Sequence, residues 1–103
     1  GVVGQDVDLE TARYAARLCA INLIAQMKAA CGGDLDRLVQ VVKLTGFVNS
    51  TPDFGDQPKV VNGASDFLVE ALGDVGRHTR SAVSAASLPF GCAVEIEGIF
   101  EIE

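Results

Sequence analysis

Two ionisable side chains in the last quarter of the chain have the chemistry of a small-molecule site. Arg80 carries a planar guanidinium that can bind a carboxylate through two parallel hydrogen bonds. Glu95 carries a carboxylate that can orient a water molecule and move a proton. The ordinary alternatives are an arginine that pairs with Glu95, Glu97 or Asp66, and a glutamate on a solvated strand face. The residue types alone leave both alternatives open.

Other polar residues narrow the possible chemistry. Asn62 could bind a ligand or could equally be a polar surface residue of a helix or a loop cap. Ser81 follows Arg80 without a His–Asp set to activate it, which disfavours nucleophilic catalysis. His78 is the single histidine and has no neighbouring metal-ligand residues, so we predict no metal site. No glycine-rich segment has phosphate-binding spacing.

The stretch from Thr79 to Glu97 must position both ionisable groups. Its residues alternate as in two strands, and Leu88-Pro89-Phe90-Gly91 predicts a turn between them. If the two strands pair as a hairpin, Glu95 lies opposite about Ala85 and roughly 16 Å from Arg80. A site that uses both groups would then require a second chain or a different strand pairing.

The preceding segments predict two helices and a central strand. Leu9 to Cys31 reads as a long helix that Gly32-Gly33 ends through a left-handed cap. Val39 to Val48 is rich in β-branched residues without a cleanly polar face, which indicates a central strand. A second helix is expected from Gln57 to about Leu72, and Gly63 inside it predicts close backbone contact. This order predicts an α+β fold with two helices packed on one face of a small sheet.

Composition limits the partners of the chain. Its net charge of −6 and pI of about 4.6 disfavour nucleic acid. Apolar residues make up 49% of only 103 positions, which favours self-association.

Cys19, Cys31 and Cys92 are an odd count without a Cys-x-x-Cys pair, so we expect free thiols in the cytoplasm. The longest uncharged apolar run, Leu18 to Met27, is too short to span a bilayer.

The C-terminal stretch resembles the signature of the Rid family, the reactive intermediate deaminases formerly called YjgF. That signature places an Arg and a small residue on a strand, followed by a Leu-Pro turn and a hydrophobic-Glu-Ile strand. The matching residues here are Arg80, Ser81, Val83, Leu88-Pro89 and Val94-Glu95-Ile96. One position departs, because His78 stands where the family usually has Pro or Ala. The long helix ending in Gly-Gly, the central strand and Val61-Asn62 also have counterparts in the family.

The resemblance carries functional expectations. It implies that Arg80 binds the substrate carboxylate, that Glu95 holds or activates water, and that Asn62 and Ala82 lie near the pocket. It implies clefts between the subunits of a homotrimer, where enamine or imine intermediates such as 2-iminopropanoate become 2-oxo acids and ammonia without a cofactor. The alternatives are a non-catalytic trimer that binds small carboxylates, and a ribonuclease, which the acidic charge disfavours.

The start of the chain departs from the family pattern. Family members begin with two further strands that end in a Ser-Gly-Gln-like segment, and this chain begins at the Gly-rich segment that follows them. The resemblance therefore implies a single domain, residues 1–103, as a fragment or a natural truncation with an exposed sheet edge.

Overall fold

The computed structural model describes all residues from 1 to 103, and its first long helix confirms the expected one. Helix α1 runs over Leu9–Ala30. The Asp8 side chain caps it by accepting a hydrogen bond from the backbone N–H of Thr11 at 2.8 Å. Hydrogen bonds from Thr11 hold the pKa of Asp8 below its ordinary value. Gly32 and Gly33 have φ of 66° and 91°, so they end the helix in the left-handed conformation as predicted.

The sheet has three strands, and its order corrects the expected hairpin. Strand β1 covers Leu38–Asn49, β2 covers Thr79–Ala85 and β3 covers Val94–Ile102. Their order is β2-β1-β3, with β2 parallel and β3 antiparallel to β1. The two last strands do not pair with each other, because β1 lies between them. The predicted central position of β1 is confirmed.

One face of the sheet is covered by both helices. Helix α2 covers Gln57–Leu72 and has a proline in its first turn. Leu44 and Val48 of β1 are fully buried on the helix side. Gly46 lies between them, and a Cβ there would overlap the Val61 side chain of α2. The predicted arrangement of two helices on one face of a small sheet is therefore confirmed.

Helices α1 and α2 approach each other closely at Gly63. A Cβ on Gly63 would overlap the Arg13 carbonyl oxygen of α1 and would lie 2.9 Å from its carbonyl carbon. The close contact expected from this glycine is confirmed. It allows α2 to lie over β1 and β2, where it carries polar residues to the edge of the sheet.

The other face of the sheet is uncovered in the single chain. It exposes apolar side chains, including Val83 at 43% and Ile99 at 61% exposure. Glu95 and Glu97 of β3 are exposed as well. Neither helix carries an apolar segment of the length that a bilayer crossing requires.

Candidate functional site

Arg80 lies on β2 with its side chain directed under α2. Its Cα pairs in the sheet with that of Leu44, whose side chain is buried against the helices. The guanidinium donates to Ser65 Oγ at 3.2 Å through Nη1 and to the Pro58 carbonyl oxygen at 3.4 Å through Nη2. None of the four ion pairs of the chain involves Arg80. The ordinary alternative of an arginine paired with Glu95, Glu97 or Asp66 is therefore not what this chain forms.

A chain of hydrogen bonds connects Arg80 to the residue at which the sequence departs from the family. Ser65 Oγ lies 2.9 Å from Nε2 of His78, and Nδ1 of His78 lies 2.6 Å from the Gly76 carbonyl oxygen. The carbonyl can only accept, so Nδ1 carries the hydrogen. In the neutral ring Nε2 then accepts from the Ser65 hydroxyl, whose lone pairs are left for the guanidinium. Both ring nitrogens of His78 and the hydroxyl of Ser65 therefore have partners.

Arg80, Ser65 and His78 line a groove of about 270 Å³ between α2 and the start of β2. Asn62 and Asp66 of α2 lie in its wall together with Arg80. Arg77 also lines it, but its guanidinium pairs with Asp74 at 3.1 Å. The positive charge of Arg80 in this groove is therefore not balanced by a carboxylate in direct contact. An anionic ligand can supply the balancing negative charge.

The structure brings three of the four predicted site residues to one side of the sheet. Arg80 and Asn62 share the groove. Ala82 is half-buried on the helix side of β2, two residues beyond Arg80, where it packs against the core. Glu95 is not with them.

Glu95 lies on the opposite face of the sheet. It pairs with Phe47 of β1, whereas Arg80 pairs with Leu44, three residues earlier. Positions an odd number of residues apart in a strand face opposite sides. Two strand spacings and three residues separate the two Cα atoms by roughly 14 Å. As expected from the sequence, one chain does not bring Arg80 and Glu95 together. They are separated because β1 lies between their strands, and not because they lie far apart along a hairpin.

The sequence did not point to Ser65 as a site residue, and His78 served only in the argument against a metal site. The signal was present in the spacing. His78 and Arg80 are two residues apart and therefore share a strand face, whereas Asn62 and Ser65 are three apart and share a helix face. What the sequence does not show is that these two faces meet. No group of three or more His, Cys, Asp or Glu side chains is placed to hold a metal ion.

A half-buried thiol lies elsewhere on α1. Burial raises the pKa of Cys19, and the nearby Cys92 and Glu95 raise it further. Cys92 itself is exposed in the connection before β3, and Cys31 is buried. All three cysteines are free thiols, as predicted.

Comparison with known proteins agrees with this fold over nearly the whole chain. Protein TCP17 of Trypanosoma cruzi is 48% identical over 103 residues, which are 99% of this chain and 64% of that protein. The crystal structure of Atu1372 from Agrobacterium tumefaciens superposes with a TM-score of 0.98 at 53% identity, covering 100% of this chain and 66% of that one. A protein from Shewanella oneidensis MR-1 described as a "putative endoribonuclease" has a TM-score of 0.94 at 34% identity, covering 99% and 67%. This chain thus spans about two thirds of the length of each relative.

A family model agrees with these relatives. The model described as "YjgF/chorismate_mutase-like, putative endoribonuclease" matches residues 1–99. The resemblance inferred from the C-terminal signature is thereby confirmed, since Rid is the later name of the YjgF group. The chain belongs to the YjgF/chorismate-mutase-like family.

Proposed function

We propose that this protein hydrolyses reactive 2-imino acids, such as 2-iminopropanoate, to 2-oxo acids and ammonia in a cytoplasmic homotrimer. The observation that carries the proposal is the state of Arg80. Its guanidinium is held by two neutral acceptors, Ser65 Oγ and the Pro58 carbonyl oxygen, which use two of its five N–H donors. Three donors and the full positive charge remain for the carboxylate of a ligand.

The reaction requires little from the protein beyond positioning. Water adds to the imine carbon, and the new C–O bond forms as the C=N bond opens to an amine. Protons then move from oxygen to nitrogen, the C–N bond breaks, and ammonia leaves as the ketone forms. A carboxylate beside the imine carbon can orient the water and relay these protons. Because imines hydrolyse readily, fixing the substrate through its carboxylate supplies much of the benefit.

In this proposal, the Glu95 side chain of a neighbouring copy positions the water at the site that contains Arg80. Within one chain it lies across the sheet from Arg80, so a second copy must supply it. The uncovered face of the sheet supports an assembly, since Val83 and Ile99 expose apolar surface there. Sedimentation velocity would test the trimer directly, and a monomer at all accessible concentrations would contradict this arrangement.

The activity can be tested with 2-iminopropanoate made in situ by an amino-acid oxidase acting on alanine. Semicarbazide traps the remaining imine, so an active protein lowers the yield of semicarbazone. We expect Arg80→Ala to reduce kcat/KM by about a hundredfold or more, because two charged hydrogen bonds to the ligand are lost. Arg80→Lys keeps the charge but loses the planar fork, and we expect an intermediate loss.

Glu95→Gln provides a separate test of the water-handling role. It should lower kcat while leaving the affinity for pyruvate nearly unchanged, because the amide cannot accept the transferred proton. Glu101→Gln removes the same charge from the same strand and is the matched control. Equal activity of Glu95→Gln and wild type would remove Glu95 from the mechanism.

A second candidate is a trimer that binds small carboxylates without catalysis. The position of Glu95 on the far face of the sheet favours it, because the chain alone pairs Arg80 with no water-handling carboxylate. Pyruvate binding without any acceleration of imine hydrolysis would establish this alternative. The family model and the Shewanella protein are described as putative endoribonuclease. An RNA-cleavage assay tests this activity for the present chain, whose net charge of −6 disfavours it.

A further inference from the structure

We propose that His78 is a positioning residue that acts through Ser65 to hold the Arg80 guanidinium in the orientation that binds the ligand carboxylate. This inference rests on the proposed carboxylate-binding role of Arg80 and extends it to a residue at which the sequence departs from the family pattern. His78 does not touch Arg80 in the hydrogen-bond chain. Its effect passes through one hydroxyl.

The direction of each hydrogen bond follows from the groups at the two ends. The Gly76 carbonyl must accept from Nδ1, and Arg80 can only donate. Between them, the Ser65 hydroxyl gives its hydrogen to Nε2 of the neutral ring at 2.9 Å and presents its lone pairs to Arg80. The ring thus decides which way the hydroxyl points.

The series of hydrogen bonds from Arg80 to Gly76 ends on a turn that is held in place by tight packing. Gly76 is buried in the short 3-10 turn Gly73–Gly76, and a Cβ on it would overlap the Leu68 carbonyl oxygen. The turn is therefore packed directly on the backbone of α2. With Nδ1 bound to this turn and Nε2 bound to Ser65, the ring of His78 is fixed at both nitrogens.

Removing the acceptor at Nε2 frees the Ser65 hydroxyl. A serine inside a helix can then turn its hydrogen toward the carbonyl four residues earlier, that of Val61, or toward water. Its lone pairs no longer point steadily at Arg80. A looser arginine must be ordered when the ligand binds, and that entropy lowers the affinity.

Two variants of His78 separate this role from a merely structural one. The oxygen of Gln in His78→Gln reaches the position of Nε2 and can accept from Ser65. Asn in His78→Asn reaches the position of Nδ1, so it keeps the bond to Gly76 and loses the bond to Ser65. A positioning role predicts that His78→Gln retains affinity and His78→Asn does not. A role limited to bracing the turn predicts the reverse.

The measurement is the Kd for pyruvate by calorimetry, with 2-iminopropanoate turnover alongside. We expect His78→Asn and Ser65→Ala each to weaken pyruvate binding about three- to tenfold, as one net hydrogen bond implies, and His78→Gln to stay within about twofold. The double variant Ser65→Ala with His78→Asn should be no weaker than Ser65→Ala alone, because both act through one hydroxyl. Additive losses, or a retained affinity in His78→Asn, would overturn the proposal.

Nuclear magnetic resonance tests the hydrogen bonds between Gly76, His78 and Ser65 without any ligand. The ¹⁵N shifts of His78 should show a protonated Nδ1 and an unprotonated Nε2, and Ser65→Ala should move the Nε2 signal. A ring protonated only at Nε2 would overturn the assignment. If wild type binds pyruvate but does not hydrolyse the imine, the deaminase proposal fails and the positioning role stands. If wild type does not bind pyruvate, both fail.

Discussion

Replacing Gly63 with alanine should destabilise the protein although alanine is the better helix former. The added Cβ would meet the Arg13 carbonyl group, with its carbonyl carbon at 2.9 Å and the oxygen closer still. Carbon atoms ordinarily pack at about 3.5–4.0 Å, so α1 and α2 must separate by about 1 Å. Overpacking of this kind costs about 1–3 kcal/mol, against a gain of about 1 kcal/mol in helix propensity. Because the added Cβ overlaps a backbone oxygen, the overpacking cost should lie in the upper half of its range, and we expect a net loss of about 1–2 kcal/mol.

The assay is urea unfolding of Gly63→Ala and wild type at one protein concentration, because the stability of an assembly depends on that concentration. Gly55→Ala is the matched control, since a Cβ there meets nothing within 4 Å. The control should be neutral or slightly more stable. The displaced α2 also carries Ser65 away from Arg80, so Gly63→Ala should weaken pyruvate binding. A Gly63→Ala protein as stable as wild type would refute the close contact between the helices.

Three further predictions concern the core and the thiols. Leu44→Ala removes a fully buried side chain under both helices and should cost about 2–5 kcal/mol in the free energy of unfolding, measured in urea. Gly46→Ala should lower stability because its Cβ overlaps the Val61 methyls, and adding Val61→Ala should restore part of the loss in the same measurement. Iodoacetamide should alkylate Cys19 more slowly than exposed Cys92 at pH 8 by mass spectrometry, because the raised pKa of Cys19 lowers its thiolate fraction; the gap should narrow at higher pH, and equal rates at pH 8 would contradict that shift.

Local sequence patterns predicted the helices and strands well because their signals are local. The Gly32-Gly33 stop and the β-branched run from Val39 to Val48 can each be recognised within a few residues. Strand pairing is different. The alternating segments around Leu88-Pro89 favour a hairpin, and nothing near them shows that β1, some thirty residues earlier, takes the place between β2 and β3. The structure places β1 between them, with Leu44 fully buried under the helices.

The candidate site also has features that the sequence predicts and features that only the fold determines. The family signature predicts Arg80 as a site residue, and its guanidinium favours a carboxylate ligand. The contact of Arg80 with Ser65 depends on where α2 crosses β2, which is a consequence of the close approach at Gly63. Two residues that lie 15 positions apart therefore form one unit. The separation of Glu95 from Arg80 could be expected from distance alone, but its placement on the other face required the register on β1.

The position of β1 in the chain determines when the sheet can assemble during translation. Both strands that pair with β1 are synthesised after it, and α2 emerges from the ribosome before either of them. Until Thr79–Ala85 has left the exit tunnel, the nascent chain carries a 12-residue strand with both edges unpaired. The second edge of β1 is covered only when Val94–Ile102 has also emerged. Such an unpaired strand is a natural binding site for chaperones, and stalling translation between these two segments should prolong its exposure.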